Sequence, residues 1–364
     1  MTQCLNSHSS SRRPLWLPPG GCLERFDADS LTTKQSAGRD TYLTAGSLEA
    51  QQGRSFARRR VNLEATDGSE CGEAARFAAG ALLALVDECL MGGIRQGLAF
   101  CRPPGHHAGR CSSTGFCLLN NVAVAAQYAR ARYPDVVKRV LIFDWDVHHG
   151  QGTQEIFWSD PEVLVVSIHQ FEKGFYPNSG AATETGVGAG KGYTINVAMP
   201  PGYGDGCLWL ACAKVLLPAA QRFRPDLMLV SAGFDAVEGD PLGDAMCTPA
   251  VFGKITTELK KLANHLCQGR MLFGLEGGYA AAGLASCIGQ VAQALLEPLQ
   301  PQAKGDPFAI EPDLAPKQAS LLSVYATRLA HQMLPLHLLE GSRSVLVPFR
   351  KAACTVKQPE ASST

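Results

Sequence analysis

Asp144, Asp146 and His148 alternate within the stretch Val140–Gly152, VLIFDWDVHHGQG. Each can ligate a metal ion or move a proton. The stretch opens on an apolar, β-rich run, Val140-Leu141-Ile142-Phe143, and closes on glycines. That pattern predicts a buried strand. A strand points alternate side chains to one face, so the three groups share a face at the strand's end. A solvated turn rich in Asp and His is the plain alternative. The adjoining apolar strand argues against it, because buried charges need partners, and a metal ion is one.

Other segments carry matching chemistry. His106-His107 follow Pro103-Pro104-Gly105, which forces a loop, and such a pair can serve as acid and base near neutral pH. Asp235 follows Gly233-Phe234 after a further apolar run. Asp146, His148 and Asp235 then make an O, N, O set. Three protein ligands with an open position suit catalytic zinc, while two carboxylates and one imidazole leave ferrous iron open. Asp144, not needed as a ligand, can steer His106. Gln151 can hold His107 by a neutral hydrogen bond, so the two histidines would differ in pKa. Tyr279 follows Gly277-Gly278, which predicts a swinging hydroxyl able to stabilise a developing oxyanion. Taken singly, Asp235 reads as well as a turn aspartate, the histidine pair as a surface turn, and Tyr279 as a packed helix-start residue. Their convergence carries the reading.

The elements that must position these groups alternate. Apolar runs at 97–102, 140–143, 163–167, 193–197, 226–231 and 270–275 read as strands. Helical patterns fill 73–91, 118–133, 151–158, 207–223, 248–267 and 280–296, and a glycine-rich loop spans 174–192. Alternation of this kind predicts a parallel sheet with helices on both faces. Ligands bind such sheets beyond the carboxyl ends of the strands, where His106, His107, Asp144, Asp146, His148, Ser167, Asp235 and Tyr279 all fall. The chain has 364 residues, 46% hydrophobic and 18% charged, with no net charge. Hence nothing electrostatic points to nucleic acid or a membrane surface, and no apolar run is long enough to span a bilayer. The 13 cysteines are scattered without a C-x-x-C pair, which points to a reducing compartment.

Five segments together resemble the zinc-dependent histone deacetylase family, in its class II-like branch related to acetylpolyamine amidohydrolases. They are Arg102-Pro103-Pro104-Gly105-His106-His107-Ala108, Gly115-Phe116-Cys117-Leu118-Leu119-Asn120-Asn121-Val122-Ala123, Asp144-Trp145-Asp146-Val147-His148-His149-Gly150-Gln151-Gly152, Ser231-Ala232-Gly233-Phe234-Asp235 and Leu275-Glu276-Gly277-Gly278-Tyr279. The resemblance implies a three-layer α/β arginase/deacetylase fold with a mostly parallel sheet. It also implies hydrolysis of N-acetyl-lysine to lysine and acetate. By motif, Asp146, His148 and Asp235 match the zinc ligands. His106 and His107 match the catalytic pair, and Tyr279 the oxyanion tyrosine. Asp144 and Gln151 would steer the histidines. Gly115, Phe116 and Tyr176 match the acetyl-lysine channel. Asp144, Asp146, His148, Ser167 and Ile168 match a structural potassium site. Phe157, Asp160, Val163 and Tyr193 match a second monovalent site.

Asp40-Thr41-Tyr42 resembles the rim segment whose aspartate holds the substrate backbone. The family's preceding strand and His-Pro-Glu segment are not matched. Leu242 stands where a polyamine-selective relative carries glutamate, which favours acyl-lysine in proteins over acetylpolyamines. Histone tails or other acetylated proteins are the implied substrates, chromatin regulation and corepressor complexes the implied setting, and nucleus or cytoplasm the implied location. Residues 1–38 read as a disordered tail; no acidic residue precedes Glu24, a weak likeness to an organellar targeting segment. The domain is expected over 39–297 with a polar insertion at 51–72, followed by a linker and extension over 298–364. The extension would hold a helix at 320–334 and a strand at 344–349.

Overall fold

The computed structural model describes residues 41–45, 70–299 and 316–331. Seven strands form one sheet. They are β1 (Thr41–Ala45), β2 (Gln96–Phe100), β3 (Val140–Asp144), β4 (Val163–Gln170), β5 (Thr194–Met199), β6 (Leu227–Ala232) and β7 (Met271–Leu275). Their order across the sheet is β1-β2-β7-β6-β3-β4-β5. Every pairing among the described strands is parallel, as the sequence led one to expect of a mostly parallel sheet.

Parallel strands sandwiched between helix layers need apolar residues on both faces. β3 supplies them by alternation. Leu141 and Phe143 pack into one core, Val140 and Ile142 into the other. Helices α1 (Glu70–Leu90), α2 (Asn121–Arg132) and α3 (Gln151–Phe157) cover the second face. The first is covered by α4 (Asp205–Ala211), α5 (Leu217–Phe223), α6 (Pro249–Cys267) and α7 (Ala281–Leu296), with Val324 of α8 (Gln318–Ala330) joining the same core.

Three expectations shift. The helix expected over 207–223 is broken by a π-helical turn, Cys212–Leu216, between α4 and α5. Residues 70–72, expected in the polar insertion, belong to α1; the rest of the insertion lies outside the described residues, as do the extension's strand at 344–349, the tail at 1–38 and Asp40. Thr41 pairs with Gln96 at the start of β2. It therefore lies at the amino-terminal edge of the sheet, opposite the edge where the chemistry gathers, and Thr41-Tyr42 belong to a strand rather than to a rim loop.

Candidate active site

The site is built where β2, β3, β6 and β7 end. These four neighbour one another in the sheet, so the loops leaving them converge. β3 itself stops at Asp144. Asp146 and His148 lie on the bend beyond it, not on the strand, and loop hydrogen bonds keep them together. Asp144 Oδ1 accepts the Asp146 N–H at 3.0 Å, and Asp146 Oδ1 accepts the His148 N–H at 2.9 Å.

Asp146, His148 and Asp235 each offer a ligand atom, and these atoms lie within 4.8 Å of one another. His148 Nδ1 is 3.1 Å from Asp146 Oδ1 and 3.0 Å from Asp235 Oδ2. Neither aspartate is exposed. Burial, and then the charge of Asp146, push the Asp235 carboxyl up to about 7. Burial opposes a charge on His148, yet hydrogen bonds to Asp146 and Asp235 outweigh it and raise the imidazole to about 10. The pocket thus demands a positive charge among its three donors, and the residues present fit a divalent cation. Two glycines make room for it. A Cβ on Gly277 would lie 2.1 Å from Asp235 Oδ2, and one on Gly233 would lie 2.0 Å from Asp146 Oδ2.

The histidine pair is held by two unlike partners. His106 Nδ1 lies 2.9 Å from Asp144 Oδ2, and His107 Nδ1 lies 2.7 Å from Gln151 Oε1. Burial disfavours a charge on His106, but Asp146, Asp144 and Glu276 overcome it and raise its pKa. His107 is lowered to about 2 by burial and then by the charge of His106. The Gln151 side-chain amide donates to the His107 carbonyl at 3.4 Å, so its oxygen accepts from His107 Nδ1–H. That tautomer leaves Nε2 as a free acceptor.

Tyr279 packs its ring 6.0 Å from that of Phe116 and beneath the Arg102 guanidinium, 5.4 Å from the centroid. Burial, then Asp146 and Asp235, hold its phenol well above the usual range. It is therefore a donor at any working pH. The preceding glycines do not give it swing. Gly277 N–H donates to Asp146 Oδ2 at 2.8 Å, and its carbonyl accepts from Phe234 N–H at 3.0 Å. Gly278 holds φ +121°, a conformation closed to side chains. The glycines serve close approach and an unusual backbone angle.

The mouth is aromatic. Phe116 is 62% and Tyr176 40% exposed. The Tyr176 ring stands edge-on to His107 at 5.0 Å, and its hydroxyl lies 2.8 Å from Thr114 Oγ1. Gly115 sits between them at φ +55°, where a Cβ would lie 2.3 Å from the His107 ring. Leu242 is 44% exposed on its own loop.

The potassium candidates fall behind the metal loop. Asp144 and Ser167 are register partners across β3 and β4, with Ile168 next along β4. Ser167 Oγ lies 2.8 Å from His169 Nδ1. In the second group, Asp160 Oδ2 receives Arg130 Nη1 at 2.6 Å, and the Phe157 and Tyr193 carbonyls already accept backbone N–H groups. Val163 is buried at the start of β4.

Three residues of the site escaped the sequence reading. Glu276 is fully buried; its Oε2 accepts Gly105 N–H at 2.6 Å and His106 N–H at 3.0 Å, and its Oε1 accepts Ser231 Oγ at 3.0 Å. It pins the histidine loop to β7. The signal was available: a carboxylate ending a wholly apolar strand, as Asp144 does. Phe175 stacks on His148, and Asp240 binds the backbone at Tyr279. Neither has a signal of spacing.

The chain is similar to known proteins. A histone deacetylase domain model matches residues 39–295. Histone deacetylase 15 of Arabidopsis thaliana is 47% identical over 225 residues, covering 61% of this chain and 40% of its own length. Human polyamine deacetylase HDAC10 is 43% identical over 260 residues, covering 70% of this chain and 37% of its own. The chain therefore spans well under half the length of either. A crystal structure of the HDA15 HD domain superposes with a TM-score of 0.63 at 41% identity, over 76% of this chain and 72% of that one. The parallel sheet, its two helix layers and this match give the arginase/deacetylase fold. With the domain match spanning most of the chain, the protein belongs to the histone deacetylase family.

Proposed function

We propose that this chain is a zinc-dependent hydrolase that releases acetate from N-acetyl-lysine in histones or other proteins. One observation carries the reading: an O, N, O donor set, a histidine pair with unlike partners and a protonated tyrosine meet at one buried edge. The deacetylase unit is assigned to residues 39–297.

Zinc held by Asp146, His148 and Asp235 would supply Lewis-acid activation of the acetamide carbonyl and of the attacking water. The protein's own groups do the rest. Phe116 and Tyr176 flank the acyl-lysine stem. His107, neutral and with Nε2 free, takes the proton of the water. His106, held cationic by Asp146 and Asp144, lies 3.8 Å from Asp146 Oδ2 and adds positive charge beside the reacting centre. Tyr279 donates to the oxyanion that develops on the acetamide oxygen. His107 then returns its proton to the leaving amine, which departs as lysine. A potassium ion held by Asp144, Asp146, His148, Ser167 and Ile168 would stiffen the metal loop from behind.

Leu242 offers no carboxylate to a polyamine's ammonium groups, which favours acylated protein over acetylpolyamine. Corepressor assembly and a nuclear or cytoplasmic setting accord with the family; among the described residues no helix is long and apolar enough to cross a membrane. Side-by-side turnover of an acetyl-lysine peptide and acetylspermidine tests the substrate class. Faster peptide turnover is expected; a preference for acetylspermidine would replace it with the polyamine reading.

A further inference from the structure

Asp240 takes no part in the chemistry above, yet its carboxylate joins three pieces of the site. It is 6% exposed. Oδ2 accepts the Tyr279 N–H at 2.6 Å and the Ala280 N–H at 3.0 Å. Oδ1 accepts the Leu242 N–H at 2.9 Å. Ala280 is the N-cap residue of α7 and has no side chain that can cap. From a different loop, Asp240 takes the two N–H groups that lead into the helix, at the end where a negative charge is favoured. On the other side of the same peptide, Arg102 Nη2 donates to the Gly278 carbonyl at 2.7 Å while its guanidinium covers the Tyr279 ring.

We propose that Asp240 is a positioning residue for Tyr279, and that Asp240 and Arg102 clamp the Gly278–Tyr279 peptide from its two ends. Gly278 has no side chain to fix its orientation, so its backbone partners set the direction in which Tyr279 leaves the loop. The Asp240 carboxylate also fixes Leu242, so the oxyanion donor and the channel rim share one anchor. A donor misplaced by about 1 Å can cost about 10²-fold in rate. This inference rests on the hydrolase reading for what the hydroxyl does, and on geometry alone for the clamp.

The test uses the full chain with Asp240→Ala and Asp240→Asn, each made alone and with Tyr279→Phe, plus Arg102→Lys in case loss of Asp240 prevents folding. Amide hydrogen exchange is followed over residues 277–281, alongside zinc content and kinetics on an acetyl-lysine peptide. Asp240→Ala should speed exchange at Tyr279 and Ala280 and lower kcat by about 10- to 100-fold, with KM within about threefold. Arg102→Lys keeps the charge but loses the fork and should shift exchange and kcat in the same direction. In the Tyr279→Phe background the Asp240 substitution should cost less than about threefold, because the group it positions is gone. Unchanged exchange, or an equal loss in both backgrounds, would overturn the proposal. A wild-type chain without turnover would overturn the hydrolase reading instead, while exchange would still decide the clamp.

Discussion

Phe175 lies flat on the His148 imidazole, ring centroids 5.1 Å apart and planes 5° from parallel. The stack leaves the ring's Nδ1 edge facing Asp146 and Asp235. Groups that orient a ligand typically govern about 10- to 100-fold of metal affinity. Phe175→Ala should therefore weaken zinc binding by about that factor while the fold persists. Chelator competition on folded protein measures it, and an unaltered affinity would contradict the role.

Tyr279→Phe removes only the hydroxyl. With the donor gone, kcat should fall by about 10²–10³, with zinc content unchanged. Near-normal turnover would sink the oxyanion assignment.

Gly277→Ala places a Cβ 2.1 Å from Asp235 Oδ2 and 2.5 Å from Asp146 Oδ2. Those carboxylates are themselves tied to backbone N–H groups and have little room to retreat. The variant should bind well under one zinc per chain. Gly289→Ala, in α7, meets nothing within 4 Å and should be neutral or stabilising by about 0.4–1 kcal/mol. Metal analysis and melting of the two variants separate site crowding from a general intolerance of added bulk.

His149 and His169, with rings 4.7 Å apart, are kept neutral by burial. His149 is lowered to about 4, and His169 is lowered well below the ordinary value, first by burial and then by the neighbouring His149 imidazole. Below the ordinary value of about 6.5 the unfolded chain binds protons that the folded chain refuses. The stability these residues contribute is full above pH 6.5 and is lost as pH falls from there through about 4. Thermal melts should drop along that window. The His169→Gln variant should show a flatter slope, and an identical slope would remove His169 from the account.

Much of this was legible in the sequence because strand periodicity and metal-ligand chemistry are local. Val140–Phe143 announces a buried strand, and Asp146 and His148 sit two residues apart. Their placement on a bend rather than on β3 did not matter, since backbone hydrogen bonds to Asp144 and Asp146 continue the convergence. The tie of Asp240 to the tyrosine was illegible because the Tyr279 and Ala280 amides it binds lie 39 and 40 residues away. Glu276 is tied to residues 170 and 171 positions earlier, and only its place at the end of an apolar strand marks it in the sequence. The glycines before Tyr279 were misread as slack because a sequence does not show what a Cβ would strike. Thr41 and Tyr42 illustrate the reverse hazard: they match a rim motif, yet Thr41 opens a strand at the far edge of the sheet.

The central claim is a zinc-dependent deacetylase built on Asp146, His148 and Asp235. Its most direct test is zinc content and acetyl-lysine turnover of the purified chain before chelation, after it, and after zinc is restored. About one zinc per chain, activity lost with the metal and recovered on its return, and neither zinc nor activity in Asp235→Ala is the predicted result. Full turnover after complete removal of metal would contradict it.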